Sequence, residues 1–441
     1  MAEELRQFCE GYGSLFWCFN RDQTDHAWQY VCGLFAADES NLSRMGQAVS
    51  ECTYEDLQHF LSGSPWDARA VTAKVSQDAH ALLGGFDDTA LLIDESAFEK
   101  KGTRSVGVAR QYNGRLGKID SCQVGVFAAV ARGRWVIPTD MRLYLPESWC
   151  ANPERCAAAG IPEGERTYRT KIDLALELVE RQLALGGRFA WVGADSLYGR
   201  SFQFCVRLEE LGQTFCVDIP SDHQLCFGLP RASGGTANPQ EVAAYAAGLP
   251  ARAWRWVQVR DGTKGPIRVQ AHHRLVWWYD ADSEMTRRWH LLLRRDKPGA
   301  EIRYSLSNAR TAVGLQPLTG MAAQRYWIER AFEDAKRELG MAEYQVRGWV
   351  AWHHHMALVL MASLFMTRFR LTHEDEKPLL SAADVRQLLE HFLPRRKWDT
   401  AQLLREIELR HQRREADTRN AIRRRRGRRR GAKKVALILP K

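Results

Sequence analysis

The chain has 441 residues, 45% hydrophobic and 26% charged, a composition typical of a globular protein long enough for two or three domains. Its longest largely apolar run, residues 356–366 with Ser363 within it, is too short to span a bilayer and no apolar leader opens the sequence, so we expect a cytoplasmic protein without a membrane partner. The ten cysteines lie singly, without a C-x-x-C pair, which argues against a structural zinc site or a disulfide framework.

The net charge of +10 is concentrated at one end of the chain. From residue 413 onward there are 13 lysines and arginines against two acids, so the remaining residues sum to about −1. The run RRRRGRRRGAKK, residues 423–434, is too highly charged to fold alone and gains affinity for nucleic acid by releasing counterions. We expect contacts to DNA from Arg423, Arg424, Arg425 and Arg426; a solubilising tail is the alternative.

Residues 1–85 carry helix start signals and predict a small helical domain. Thr53 stands three residues before Asp56, and Ser64 stands three residues before Asp67 with a proline at the first helical position, so each hydroxyl is a predicted N-cap. These residues do not themselves reveal a function; in an enzyme that acts on DNA, a helical module at the start commonly binds the specific site, and on that condition we expect this domain to bind DNA ends.

From residue 90 the sequence changes to short β-like runs separated by turns. The runs are ALLIDESAF, SVGVARQY, CQVGVFAAVA, RWVIPTDMRLYL, FAWVGADSLYG and TFCVDIP. An amphipathic helix at residues 171–185 precedes the run FAWVG, and a second helix at residues 201–211 follows it. The order βββαβαβ is the layout of the ribonuclease-H-like fold, so we predict an α/β core whose first part is residues 86–220.

Residues 221–316 begin with a stretch rich in Gly, Pro and Ala and continue as β-like runs, which predicts an inserted β subdomain. Its five tryptophans alternate with arginines, a composition that can place bases or sugars against the rings. The tryptophans are Trp254, Trp256, Trp277, Trp278 and Trp289. We expect Trp254, Arg255 and Trp256 to contact DNA; packing within the sheet is the alternative.

Residues 317–372 complete the predicted core with two helices, one running from about residue 321 through AAQRYWIERAFEDAKREL and one over residues 349–369. A helical region and the basic tail follow in residues 373–441. The second core helix carries three adjacent histidines, His353, His354 and His355. Adjacent helical residues point about 100° apart, so these cannot all bind one ion, and we expect packing or contacts to phosphate.

Two aspartates of the predicted core stand in unusual places. Asp94 follows three large apolar residues of its strand, where a carboxylate is costly unless it is paired, hydrogen-bonded or bound to a metal. Asp195 ends the run FAWVG, at a carboxyl end of the sheet, where α/β folds gather their ligands. Taken singly, each also fits a strand-edge or capping aspartate.

A third acid is judged from helix geometry. At about 100° per residue, Arg325, Glu329 and Lys336 fall within roughly 40° of one another and form a polar stripe that can face a site. Glu333 lies about 80° from Arg325 and is the weaker candidate. Exposed pairing between Arg325 and Glu329 is the alternative for the stripe.

Attack on a phosphodiester needs an activated water or 3′-hydroxyl and a stabilised leaving oxygen. Two Mg²⁺ ions about 3.5 to 4 Å apart supply both, and such hard ions prefer carboxylate oxygens. We therefore expect Asp94, Asp195 and Glu329 to bind two Mg²⁺ ions, for which Mn²⁺ can substitute. Arg325 and Lys336 then hold phosphates, the arginine through a bidentate fork and the lysine as a point charge.

Several strings resemble the bacterial insertion-sequence transposases of family 701, within the DDE superfamily, over roughly residues 15–370. They are LLIDES, KKGTRSVGVARQYNGRLGKIDSCQVGV, GADSLYG, RYWIERAFEDAKRELGMAEYQVRGW and AWHHHMAL. The resemblance implies that Asp94, Asp195 and Glu329 are the catalytic triad. It also implies that Arg325, Glu329 and Lys336 belong to a signature shared with hairpin-forming cut-and-paste transposases.

The signature's tyrosine is absent, since Ala322 stands three residues before Arg325. The resemblance further implies binding to terminal inverted repeats and to target DNA, and action as a dimer or higher multimer. In similar transposases the insertion lies beside the active site, so we expect one of its tryptophans to hold a flipped base. Further predicted contacts to the DNA backbone are Lys100, Lys101, Arg110 and Lys118, with solvated turns as the alternative.

Two other functions fit the same residues. A ribonuclease-H-like nuclease that cuts without strand transfer would use the same three acids. A catalytically idle, transposase-derived regulator would bind DNA only, although acids at all three positions argue against idleness.

Overall fold

The computed structural model describes residues 1–114, 116–262 and 265–436, with the side chains of residues 424–436 excepted. Residues 1–393 form one compact unit, and residues 394–441 form a second.

The first unit opens with short helices and a small hairpin. These elements are α1 (Ala2–Glu10), β1 (Trp17–Cys18), β2 (Arg21–Asp22), α2 (Thr24–Ala36), α3 (Leu42–Ala48), α4 (Tyr54–Ser62) and α5 (Ala68–Leu83), with a 3-10 turn at Gly13–Phe16. Thr53 caps α4 through a reciprocal capping box with Asp56, as predicted.

The second predicted N-cap of this region is wrong, because Asp67 and not Ser64 caps α5. The Ser64 hydroxyl donates instead to Gln23 Oε1 at 2.8 Å in the interior. Trp66 is buried, and its ring nitrogen donates to the Phe60 carbonyl oxygen at 3.1 Å. This tertiary packing keeps residues 64–67 out of the helix, so α5 begins at residue 68.

The central sheet follows. Its strands and helices are β3 (Ala90–Glu99), β4 (Ala109–Asn113), β5 (Lys118–Arg132), β6 (Trp135–Leu143), α6 (Glu147–Cys150), α7 (Pro153–Ala158), α8 (Lys171–Ala184), β7 (Trp191–Ala194), α9 (Ser196–Gly199), α10 (Phe202–Glu210) and β8 (Phe215–Ile219), with a 3-10 turn at Glu163–Glu165. Strands β3, β5 and β6 are antiparallel neighbours, whereas β7 and β8 run parallel to β3 in the order β6–β5–β3–β7–β8.

Strand β4 extends the hairpin with β5 beyond the predicted meander, and the run SVGVARQY contributes only its second half to it. The first four residues of β3 are fully buried, since helices cover both faces of the sheet. The helices predicted at residues 171–185 and 201–211 are confirmed as α8 and α10.

The inserted segment continues this sheet instead of forming one of its own. Its elements are β9 (Gln224–Cys226), β10 (Pro239–Glu241), α11 (Val242–Ala247), β11 (Arg255–Gly262), β12 (Gly265–Asp280), β13 (Met285–Arg295) and β14 (Arg303–Ser307), with 3-10 turns at Arg231–Ser233 and Ala251–Ala253. Strand β14 pairs antiparallel with β8, so the described residues form one mixed sheet of 12 strands across core and insertion.

Four helices close the first unit. They are α12 (Leu315–Gln324), α13 (Tyr326–Glu338), α14 (Trp349–Thr372) and α15 (Ala382–Phe392). The single helix predicted from about residue 321 is divided in two at Arg325, although the φ and ψ of that residue, −54° and −32°, remain helical.

Helix α14 is the one described helix long and apolar enough to cross a membrane, but 94% of its most apolar window is buried within the protein. It packs against α2, α4, α5 and β6. We therefore describe it as the core helix of the first unit.

The second unit contains α16 (Thr400–Ala436). Arg423 is exposed on this helix. The side chains of Arg424, Arg425 and Arg426, predicted to contact DNA, lie outside the described residues.

Candidate active site

Three aspartates lie side by side across three parallel strands. Ile93 of β3 pairs with Ala194 of β7, and Ala194 pairs with Val217 of β8. Since Asp94, Asp195 and Asp218 are the next residues along, they share one level of the sheet, where β7 and β8 reach their carboxyl ends.

Short-range packing fixes the middle of this row. Asp195 caps α9, and its carboxylate accepts a hydrogen bond from the Leu197 amide at 2.9 Å. Gly199 of α9 lies against β8, and a Cβ there would collide with the carbonyl oxygen of Asp218. Glycine thus permits the close approach that brings Asp195 and Asp218 together.

Arg325 holds the aspartates to the helix that follows the insertion. Its Nε donates to Asp218 Oδ2 at 2.8 Å, and its Nη1 lies 3.6 Å from Asp94 Oδ2. One helical turn later, Glu329 Oε1 lies 3.1 Å from Arg325 Nη2. The structure therefore brings the predicted residues Asp94, Asp195, Arg325 and Glu329 together at one site.

The acids of this site differ in their exposure to solvent. The side chain of Asp94 is 12% exposed, whereas that of Glu329 is 54% exposed and lies at the rim. Lys336, two turns farther along α13, has its ammonium 5.6 Å from the centre of the Phe98 ring. Phe98 belongs to β3, so Lys336 lies on the side of α13 that faces the sheet.

Burial dominates the electrostatics. It raises the pKa of Asp94 to about 8, with the neighbouring Asp195 carboxylate adding to the shift and Arg325 opposing it. Burial also raises the pKa of Asp195, against the effect of Arg325. The surrounding carboxylates raise the pKa of Arg325 although burial opposes them, so the guanidinium stays charged. The Arg325 guanidinium is thus a single positive charge among the carboxyl groups of Asp94, Asp195 and Asp218.

A second ion pair flanks the row. Lys171 Nζ lies 2.7 Å from Glu95 Oε1, and burial raises the pKa of Glu95. The adjacent Asp94 accepts a hydrogen bond from the Glu95 amide at 2.7 Å. Glu95 is therefore neutralised by its own lysine and lies on the opposite face of β3 from Asp94.

The donor set of the site suits a hard divalent cation. Asp94 and Asp195 are carboxylates that repel one another, and a cation between them would relieve that repulsion. As placed, the described residues include no group of three His, Cys, Asp or Glu side chains that could hold a metal. Glu329 would therefore have to move towards the two aspartates to share an ion with them.

The signal for Asp218 was present in the sequence. Like Asp94, it is an acid within an apolar run, TFCVDIP, on a strand predicted to be in the core. The Ser305 hydroxyl donates to its second oxygen at 2.7 Å. That contact depends on β14 pairing with β8, which no local pattern predicts.

The residues near Asp94 that are predicted to contact the DNA backbone divide into two groups. Burial lowers the pKa of Lys100 to about 8. The Lys100 ammonium donates to the Tyr344 carbonyl oxygen at 3.1 Å and lies 3.4 Å from the centre of the Tyr344 ring. The Lys100 ammonium is thus engaged within the protein, and its contact with DNA stays a prediction. Lys101 and Arg110 are exposed, and Lys118 is exposed beside Asp120.

The tryptophans of the insertion are mostly structural. Trp254, Trp278 and Trp289 are 7%, 9% and 2% exposed. The Arg295 guanidinium lies over the Trp254 ring, 3.9 Å from its centre, and the contact of Trp254 with DNA stays a prediction. Trp256 is 55% exposed.

Arg255 is exposed next to Trp256. The remaining ring of the five, Trp277, is partly buried, with the Arg288 guanidinium 5.5 Å from its centre. Of the predicted surface, Arg255 and Trp256 are thus the pair open to a ligand.

The three histidines bind protein groups. His354 has ring nitrogens 3.0 Å from the Leu61 carbonyl oxygen and 2.8 Å from that of Trp66. His355 Nδ1 lies 2.8 Å from the Tyr30 hydroxyl, and His353 Nδ1 lies 2.9 Å from the Trp349 carbonyl oxygen. His354 and His355 thus join α14 to the N-terminal region, whereas the contact of His353 lies within α14.

Comparison with known proteins adds a family assignment. A model of the family described as DDE superfamily endonuclease matches residues 14–266. The chain is 27% identical over 348 residues to the probable transposase for insertion sequence element IS701 of Microchaete diplosiphon, covering 77% of this chain and 81% of that protein.

Two solved structures show weaker similarity. The cryo-EM structure of the piggyBac transposase synaptic complex with hairpin DNA has a TM-score of 0.42 at 11% identity, covering 88% of this chain and 76% of that one. The crystal structure of the NurA nuclease from Sulfolobus solfataricus has a TM-score of 0.27 at 9% identity, covering 70% of this chain and 93% of that one.

Proposed function

The chain belongs to the DDE superfamily of endonucleases, and from this premise we propose that it binds the terminal inverted repeats of an insertion sequence and catalyses metal-dependent cleavage and strand transfer. The resemblance to insertion-sequence transposases of family 701 is confirmed. The observation that carries the proposal is the placement of Asp94 and Asp195 on adjacent parallel strands, with Arg325 and Glu329 directly against them.

The strand order supports a ribonuclease-H-like core. Taking β3, β5, β6, β7 and β8 as strands one to five, the order across the sheet is three, two, one, four, five. The first three are antiparallel neighbours, and the last two run parallel to the first. This agrees with the βββαβαβ order of the sequence.

Asp94, Asp195 and Glu329 would hold the metal ions in this proposal, Mg²⁺ or Mn²⁺. Two bound ions would make a water or 3′-hydroxyl nucleophilic and stabilise the leaving oxygen. Burial of the first two carboxylates excludes water from their inner side. Arg325 and Lys336 face the same region and hold the phosphates of the DNA strand.

Charge indicates which surfaces contact the DNA backbone. Residues 1–85 contain 12 acids against five lysines and arginines, and a surface of net negative charge repels phosphate. We therefore assign backbone contacts to the exposed cations Lys101, Arg110 and Arg255 and to the basic tail. Any role of residues 1–85 in recognising DNA ends is limited to local contacts with bases.

A single assay tests the proposed reaction. Purified protein is mixed with labelled element ends, a target plasmid and Mg²⁺ or Mn²⁺. Joined products support transposition, cleavage alone supports a nuclease without strand transfer, and binding without cleavage supports a regulator. Native mass measurements on the DNA complex test the proposed dimer or higher multimer.

The third acid has a matched control on its own helix. Glu329→Ala is expected to abolish cleavage and joining while preserving end binding. Glu333, whose carboxylate lies 3.2 Å from Arg330 and 2.8 Å from Arg337, is expected to tolerate the same change. Activity retained in Glu329→Ala but lost in Glu333→Ala would move the third acid to Glu333.

A further inference from the structure

Asp218 is held from two sides at the end of β8. Its Oδ1 accepts a hydrogen bond from the Ser305 hydroxyl at 2.7 Å, across the antiparallel pairing of β8 with β14. Its Oδ2 accepts from Arg325 Nε at 2.8 Å. These contacts fix the carboxylate between the insertion and the helix that carries Glu329.

The hydrogen bond to Asp218 is the closest of the three contacts that Arg325 makes with acids. The Arg325 nitrogens lie 2.8 Å from the Asp218 carboxylate, 3.1 Å from that of Glu329 and 3.6 Å from that of Asp94. A charge-assisted hydrogen bond strengthens with shorter distance, so the guanidinium is anchored chiefly on the β8 side. Arg294, buried on β13, also interacts electrostatically with Asp218, and more weakly with Arg325.

Arg325 competes with any metal ion for Asp94 and Glu329. A guanidinium and a divalent cation neutralise the same carboxylates, so a stronger hold by one weakens the other. Whatever draws Arg325 towards β8 leaves Asp94 and Glu329 more open to a metal.

We infer that Asp218 is a positioning residue that draws Arg325 towards β8, limits the hold of Arg325 on Asp94 and Glu329, and so raises the affinity of the site for a divalent cation. This inference rests on the proposed metal-dependent function. Without the Asp218 charge, the acids left around Arg325 among the described residues are Asp94, Glu329 and Asp195 of the metal site. Asp218 then acts through Arg325 and does not itself bind the metal.

The test measures Mn²⁺ binding to the full-length protein without DNA, by electron paramagnetic resonance of free Mn²⁺. The variants are Asp218→Asn, Arg325→Gln, and both together. Asp218→Asn is expected to raise the dissociation constant about tenfold, equivalent to about 1.4 kcal/mol. In the Arg325→Gln background, Asp218→Asn is expected to cause no further change.

This double-mutant cycle distinguishes an effect of Asp218 through Arg325 from direct metal binding by Asp218. If Asp218 binds Mn²⁺ directly, or acts only through its negative charge, Asp218→Asn should weaken Mn²⁺ binding equally with Arg325 present and in Arg325→Gln. This result would overturn the inference. An unchanged dissociation constant in Asp218→Asn overturns it as well. Asp222→Asn, which removes an exposed acid four residues along, is the matched control and is expected to change nothing.

Ser305→Ala provides a second route if Asp218→Asn fails to fold, as judged by thermal unfolding. It removes one hydrogen bond of Asp218 without changing any charge, and is expected to weaken Mn²⁺ binding severalfold with Arg325 present and not in Arg325→Gln. Equal effects in the two backgrounds contradict the inference. Absence of Mn²⁺ binding by the unmodified protein, together with metal-independent cleavage, would instead overturn the proposed function.

Discussion

Two buried polar clusters of the molecule contrast sharply. In the histidine cluster of α14, each ring meets a carbonyl or hydroxyl oxygen, such as those of Leu61, Trp66 and Tyr30. In the acid cluster, Asp94, Asp195 and Asp218 face one another and share Arg325. Polar groups satisfied by backbone oxygens hold elements together, whereas crowded like charges cost stability and indicate a site prepared for a ligand.

The same physical cause acts on both clusters with opposite results. Burial lowers the pKa of His353 and of His354 to about 4, so these rings are neutral at pH 7. Burial raises the pKa of Asp94 to about 8, so its charged form is disfavoured until a cation arrives. The buried histidines are thus stable in their neutral form without a metal ion, whereas the buried carboxylates are not stable in their charged form.

The largest expected effect comes from neutralising the acids. Asp94→Asn or Asp195→Asn should lower the DNA cleavage rate by about a thousandfold or more, because each is a metal ligand in the proposed function. The same changes should leave the thermal unfolding temperature unchanged or raised, since asparagine removes the free-energy cost of burying a charged carboxylate or of protonating it. Asp222→Asn is the control, and a large loss of stability in Asp94→Asn would show that its charge supports the fold.

The histidine cluster should respond in the reverse way. His354→Ala removes the ring stacked on Trp66, with centroids 3.6 Å apart, and leaves buried carbonyl oxygens unpaired. It should lower the free energy of unfolding in denaturant by about 2 to 4 kcal/mol, with cleavage per folded molecule unchanged. His59→Ala, on the exposed side of α4, should do neither. Lost cleavage in folded His354→Ala protein would contradict a purely structural role.

Acid should affect the two clusters in opposite directions. The unfolded chain protonates His354 first, so this residue's contribution to stability falls as the pH drops from about 6.5 towards 4, by up to about 3 kcal/mol. Folded Asp94 takes up its proton first, so its contribution rises as the pH drops below about 8.

Denaturant unfolding between pH 8 and 5 in the presence of EDTA measures both contributions. Asp94→Asn should lose stability more steeply than the unmodified protein on acidification, and His354→Gln less steeply. Identical pH profiles for all three proteins would show that neither cluster carries the assigned shift.

Local patterns predicted much of this arrangement. The β-like runs and turns gave the order of the core strands, and the apolar surroundings of Asp94 marked it as unusual. Phasing at 100° per residue placed Arg325 and Glu329 on one stripe, and they are in contact although the helix is divided at Arg325. These features depend on neighbours close in the chain.

What the sequence did not predict depends on distant pairing. Strand β14 could have paired within a separate subdomain, yet it extends β8 and thereby completes the environment of Asp218. Trp289 is buried because its ring nitrogen donates to Glu209 of α10, 80 residues away. Ser64 does not cap α5 as predicted, because Trp66 packs against His354 in the interior. In each case tertiary contacts decided between local alternatives.

The smallest expected effect on DNA cleavage or binding tests the insertion, where exposure separates two tryptophans. Trp256→Ala should weaken DNA binding severalfold, because an exposed ring that stacks on a base contributes about 1 to 3 kcal/mol, and should leave stability unchanged. Trp289→Ala should lower the free energy of unfolding by about 3 to 5 kcal/mol, with DNA affinity of the folded fraction preserved. Fluorescence anisotropy with labelled ends and denaturant unfolding measure the two quantities. Equal DNA affinity in Trp256→Ala and unmodified protein would remove this ring from the DNA surface and leave Arg255 as the contact to test next.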